Sequence, residues 1–151
     1  MTTAHEDSRP YAIGVMINPN QLIGVIIDLD GERVPFDGGT DQPGVMIRAL
    51  GDTTPETIVR NLAALRAELL VVASDLPGPV VGLGVVVGGH VDGDVGMVHF
   101  SPQLGWKGVP LSRLLVEEIG AEAVNVENDA KTPESWAISC SNPAATHASA
   151  D

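Results

Sequence analysis

The sequence is poor in several residues on which other protein classes depend. Its one cysteine, Cys140, can form no internal disulfide and has no Cys or His neighbour at metal-ligand spacing. That fits a reducing compartment, and a cytoplasmic location is expected. Basic residues are few: eight Lys and Arg stand against twenty Asp and Glu, for a net charge of −12, and they are scattered from Arg9 to Lys131. Nucleic acids and anionic membranes are bound by basic residues gathered on one face, so neither is expected as a partner. No apolar run approaches the ~18 to 20 residues needed to cross a bilayer. The first ten residues, Met1 to Pro10, are polar with two acids, unlike a secretory signal, and are expected to be flexible. Aromatic residues number five in a chain that is 44% apolar. With 151 residues, and ~100 to 200 per domain, this is the composition of one soluble acidic domain. No internal repeat is visible.

Two β-branched runs, Tyr11 to Ile17 and Leu22 to Leu29, flank the turn formers Asn18-Pro19-Asn20-Gln21 and predict a β-hairpin. Asp30-Gly31 suits a further tight turn, so Glu32 to Phe36 is expected to return as a third antiparallel strand. A short extra strand is read at Val45 to Leu50, between loop-like stretches. Pro55, behind a Thr cap, opens a long amphipathic helix with apolar residues at Ile58, Val59, Leu62, Leu65, Leu69, Leu70 and Ala73. It stops by Leu76-Pro77-Gly78-Pro79, because the residue before each proline is pushed out of the α region. Val80 to Val87 is apolar on both faces, as a strand packed between helices should be, and Gly82 and Gly84 within it suggest close helix approach. A second helix begins at Pro110 and ends at Gly120, and Ala123 to Glu127 is a last strand. The order β-β-β-α-β-α-β, closed by a final helix, predicts an α/β fold with a ribonuclease H-like mixed sheet, an antiparallel meander followed by parallel strands and flanked by helices. The small polar residues Ser139 to Asp151 are expected to form a disordered tail, which bounds the folded lobe at residues 11–138.

Four motifs stand in order between Val81 and Ala130. They are Gly82-Leu83-Gly84-Val85 with Gly88-Gly89-His90-Val91-Asp92, then Ser101-Pro102-Gln103-Leu104-Gly105-Trp106, then Val109-Pro110-Leu111, and finally Glu127-Asn128-Asp129-Ala130. Together they resemble the ROK family, named for repressors, open reading frames and kinases, and a weaker likeness covers Ile13 to Gly31. The resemblance implies one lobe of the actin-like ATPase fold, closer to the transcription-regulator branch, and a sugar ligand held between lobes. It assigns sugar contact to Gly89, Gln103, Asn128 and Asp129, with Asp129 in the place of the general base that takes a proton from the sugar hydroxyl. Read without the family, Asn128 caps a helix and Asp129 complements its dipole.

Departures from the family pattern are as informative. An active kinase would carry Asp-x-Gly-Gly-Thr at the first turn, to hold Mg²⁺ and cradle phosphate; Met16, Asn18, Pro19 and Asn20 fill those places. Met does not hold Mg²⁺, and Pro19 has no N–H to donate. Asp37-Gly38-Gly39-Thr40 has the composition of the missing motif but is read as a surface turn. Gln103 replaces the family's Asn, one methylene longer. Trp106 is expected to anchor its loop, and His90 and His99 to occupy surface or loop positions without a metal. Lys131 and Pro133 threaten the usual orientation of Asp129, with Thr132 and Pro133 starting the last helix afresh. Neither the second lobe's Gly-His and zinc motifs nor a winged helix is found, so a truncated chain is expected.

Three readings stay open. One is a non-catalytic carbohydrate-sensing lobe derived from a sugar-responsive transcription regulator, with Asp129 a vestigial base and no cofactor or metal. A second is an ATP- and Mg²⁺-dependent sugar kinase with a divergent phosphate loop. The third is an interaction module that pairs with a second copy or with a complementary ROK lobe through exposed apolar surface.

Overall fold

The computed structural model describes residues 10–28, 30–39, 43–93, 95–120 and 124–128. All but Pro10 of the segment expected to be flexible, the helix expected after the last strand and the tail at 139–151 lie outside these residues.

The strands are β1 (Tyr11–Ile17), β2 (Gln21–Asp28), β3 (Met46–Ala49), β4 (Val80–Val87), β5 (His90–Asp92), β6 (Met97–Ser101), β7 (Trp106–Val109) and β8 (Val124–Asn128), and the helices are α1 (Pro55–Ala73) and α2 (Leu111–Ile119). Five strands form one mixed sheet in the order β3-β2-β1-β4-β8. β1 and β2 are the expected hairpin, from Tyr11 opposite Asp28 to Ile17 opposite Leu22. β4 runs parallel to both β1 and β8. This is the predicted ribonuclease H-like arrangement.

The third strand of the meander is not the one expected. Residues 32–36 meet β2 through the bridge Ile27–Arg33 and the bonds Asp28 N–H to Glu32 O (3.0 Å), Val34 N–H to Ile26 O (2.8 Å) and Glu32 N–H to Asp28 Oδ1 (3.0 Å). The antiparallel partner of β2 is β3, where Leu22 faces Arg48 and Gly24 faces Met46. A strand has one edge left to give once its other edge is paired. Here β3 takes positions 21–24 of that edge, so the return after Asp30-Gly31 is confined to the far end of β2.

Helix α1 forms where its cap dictates: the Thr54 hydroxyl accepts the Thr57 N–H at 3.3 Å, and Pro55 occupies the first turn, where its missing N–H costs nothing. Ile58, Val59, Leu62, Leu65, Leu69 and Ala73 recur at helical spacing and are buried. They pack on Ile13, Val15 and Ile17 of β1, Leu22 and Ile26 of β2, and Leu83, Val85 and Val87 of β4, with Leu111 and Leu115 of α2 in the same core. Close approach at a strand glycine occurs at Gly24 of β2. A Cβ there would lie 2.7 Å from Leu69 Cδ1 and 3.0 Å from Leu65 Cδ2. Gly82 and Gly84, the glycines singled out from the sequence, stand in register with Ala12 and Gly14 of β1. The alternate residues of the same strands build a second cluster on the opposite face, with Ile27 and Val86 buried and Met16 and Val25 beside them. Burial on both faces is what the unbroken apolar run of β4 anticipated.

Between β4 and α2 the chain makes a three-stranded antiparallel ribbon, β5-β6-β7, which the sequence reading treated as motif loops. Helix α2 ends as expected at Gly120, in the left-handed conformation with its N–H on Val116 O at 2.8 Å.

Candidate functional site

Because β1, β4 and β8 are parallel and in register, Ile17, Val87 and Asn128 finish side by side. The carboxyl ends of such strands form the crevice in which α/β sheets hold ligands. Among the described residues, those leaving this end are Asn18 and Gly88.

Gly89 continues from β4 with a φ of 127°, a region that disfavours side chains. A Cβ at Gly89 would run into the Phe100 carbonyl and lie 2.9 Å from Ser101 Cα. This contact sets the exposed Gly89 against the start of the turn that carries Gln103. Pro102 to Gly105 is that turn, with Leu104 N–H on Ser101 O at 3.2 Å and Gly105 N–H on Pro102 O at 3.4 Å. Gln103 is exposed at its tip, whereas Leu104 and Trp106 are only 4% and 3% exposed. The structure thus brings Gly89 and the Gln103 turn together, and puts the backbone of Asn128 at the crevice end of β8. Asp129, Lys131, Thr132 and Pro133 lie outside the described residues.

Trp106 anchors the turn. Its Nε1–H donates to the Thr53 carbonyl at 2.6 Å, and the Thr53 hydroxyl donates back to the Leu104 carbonyl at 3.0 Å. Thr53 leads into the α1 cap, where Asp52 accepts from the Thr54 N–H (2.9 Å) and hydroxyl (2.7 Å). Those two bonds, the side-chain one foremost, hold the Asp52 carboxyl below the usual carboxylate range, with help from the Thr57 hydroxyl and the charge of Arg60. Ser101, beneath the turn, is fully buried, and its hydroxyl has no hydrogen-bond partner among the described residues. Neither Thr53 nor Ser101 was legible as a site residue. Bonds spanning 51 and 53 residues leave no local sequence pattern.

At the first turn, Asn18 N–H closes the hairpin on Gln21 O at 2.9 Å, and Pro19 and Asn20 are exposed. The Met16 side chain packs in the second apolar cluster. The Asp37 carboxylate accepts the Gly39 N–H at 3.1 Å, so this stretch is a local turn, as expected. On the ribbon, the pairing jumps from His90–Phe100 to Val91–Val98, and this bulge leaves His99 exposed beside His90, with ring centroids 5.7 Å apart. The His99 Nε2 stands 4.0 Å from an Asp92 carboxylate oxygen. Among the described residues, no group of three or more His, Cys, Asp or Glu side chains is placed to hold a metal ion. No helix among them is long and apolar enough to cross a membrane.

No protein-family model and no curated protein sequence matches the chain. Solved structures do. A ROK family transcriptional regulator, homologous to the E. coli MLC protein, superposes with a TM-score of 0.65 at 15% identity, covering 82% of this chain and 28% of its own. A ROK family glucokinase from Streptomyces griseus, solved with glucose and AMPPNP, gives a TM-score of 0.60 at 26% identity, over 80% of this chain and 33% of its own. An inorganic polyphosphate/ATP-glucomannokinase from Arthrobacter sp. strain KM gives 0.64 at 25% identity, over 80% and 45%. The chain therefore carries the fold of the ROK family, one lobe of the actin-like sugar-kinase architecture, and spans between 28% and 45% of the length of these three relatives.

Proposed function

We propose that this lobe recognises a sugar at the carboxyl end of its parallel strands, through Gly89, Gln103, Asn128 and Asp129, and that it does not transfer phosphate. The observation that carries the second half is Met16. Its side chain belongs to the apolar cluster with Ile27 and Val86, and the turn after it closes on itself through Asn18 and Gln21, with Pro19 offering no donor. A phosphate cradle needs free N–H groups and a metal carboxylate at this turn. The sugar half is supported by the shared fold with a glucokinase that holds glucose and by the meeting of Gly89 with the Gln103 turn at the crevice. Asp129 remains as a base without a phosphate to direct. ATP and Mg²⁺ have no role in this reading.

Titration calorimetry and ligand-observed NMR with glucose, N-acetylglucosamine and xylose test it. Binding by these 151 residues should be weak, with a Kd of about 1 mM or above, near −4 kcal/mol, because one lobe by itself supplies only part of the hydrogen bonding of a two-lobed cleft. Asp129→Ala should weaken it further. Micromolar affinity, or affinity indifferent to that change, would mean that the site lies elsewhere. In a coupled assay with ATP, turnover above that of Asp129→Ala would instead establish the kinase.

A further inference from the structure

The turn that presents Gln103 is poorly held by its own bonds. Its two internal N–H···O contacts are 3.2 and 3.4 Å, at and beyond the long end of the ordinary range, and the buried Ser101 hydroxyl beneath it makes none among the described residues. The contacts from outside are better. Thr53 accepts from Trp106 at 2.6 Å and donates to Leu104 at 3.0 Å, so one residue grips the turn from two sides. Thr53 directly precedes Thr54, the N-cap of α1, so the main chain carries the two bonds of the turn straight into the start of the helix. The path from the turn to the helix is therefore short.

We propose that Thr53 is the positioning residue of the sugar turn: its hydroxyl and carbonyl fix residues 102–106 against the N-terminus of α1 and thereby set where the Gln103 amide meets a ligand. This rests on the sugar-binding reading above for its purpose, but not for its geometry. Thr53 makes no contact with the ligand in this account. It acts through Leu104 and Trp106, and it joins occupancy of the crevice to the position of α1.

The test uses the full chain with Thr53→Val, which keeps the shape and removes the donor, Thr53→Ser, which restores it, and Trp106→Phe, which removes the other bond. Thr54→Ala serves as a control that weakens the helix cap without removing either bond to the turn. Amide hydrogen exchange at Leu104 and Gly105 is read by NMR, alongside the Kd for glucose. Thr53→Val should speed exchange at these amides about fivefold, the ratio expected for one net hydrogen bond. Trp106→Phe should do the same, Thr53→Ser should return it to the wild-type rate, and Thr54→Ala should leave it within about twofold. Glucose binding should weaken by a similar factor in Thr53→Val and recover in Thr53→Ser. Unchanged exchange in Thr53→Val, or equal acceleration in Thr54→Ala, overturns the proposal, as does faster exchange with undiminished glucose affinity. Wild-type protein that binds none of the sugars refutes the sugar reading alone, and the exchange rates then still decide whether Thr53 holds the turn.

Discussion

The fold displaces the ionisation of Asp52, and the cause is local. Two bonds from Thr54 stabilise the charged carboxylate, so its folded pKa falls below the value in an unfolded chain. A depressed acid contributes stability that is fully present above its unfolded pKa and is lost as pH falls through the folded value. Asp52→Asn should therefore be less stable than wild type near neutral pH, with the gap closing on acidification below the usual aspartate range. Because the carboxylate is exposed, salt should narrow the gap as well. Urea denaturation across that range checks it, and a gap that widened toward acid would reverse the assignment. Gly24 shows a different kind of residue effect. It has no conformational oddity and reads as an ordinary weak point in a strand, yet the α1 leucines occupy the space of its missing side chain.

Among the elements, α1 was the most legible and the ribbon β5-β6-β7 the least. Nineteen residues of helix announce themselves through Thr54-Pro55 and a 3.6-residue apolar period, which the structure follows from Pro55 to Ala73. Removing the cap hydroxyl in Thr54→Ala should cost about 1 kcal/mol, with Thr54→Ser close to neutral. Thermal or urea unfolding measures this, and a loss under a few tenths would show that the Thr57 N–H bond at 3.3 Å carries little of the capping. The short strand expected at Val45 to Leu50 forms as β3, from Met46 to Ala49, but four residues do not announce their partner. β3 earns its place through contacts at its edge, with Arg48 Nε donating to Asn61 Oδ1 of α1 at 2.8 Å, and a scan for alternation prefers the longer run after Asp30-Gly31. The ribbon β5-β6-β7 was missed for a related reason: its strands are three to five residues long and bulged at His99, so they resemble turns until their partners are known.

At the scale of the whole molecule, the charge bears on one class of partner. A net charge of −12 with scattered basic residues opposes DNA. The 151-residue chain should give no mobility shift on duplex DNA at physiological salt. A shift that weakened steeply as salt was raised would show a basic surface formed in spite of the composition. Sugar recognition, in contrast, needs no net charge, only hydrogen-bonding groups arranged at the strand ends.

The sequence by itself determined the fold class, the hairpin, both helices and the ROK likeness, because helical periodicity, β-branched runs and turn residues act over a few neighbours and survive without tertiary context. It also identified the elements that bear the candidate site, since Gly89, Gln103 and Asn128 belong to motifs of fixed spacing. Only the tertiary structure decided which segment completes the meander, since two stretches compete for the single free edge of β2 and edge pairing is settled by what else packs there. It alone decided that Met16 faces an apolar cluster, that Gly24 is where the helix comes closest, and that Thr53 reaches the turn of Gln103 across more than fifty residues. Contacts of that separation depend on how whole elements dock, and docking is a property of the assembled core rather than of any short stretch of chain.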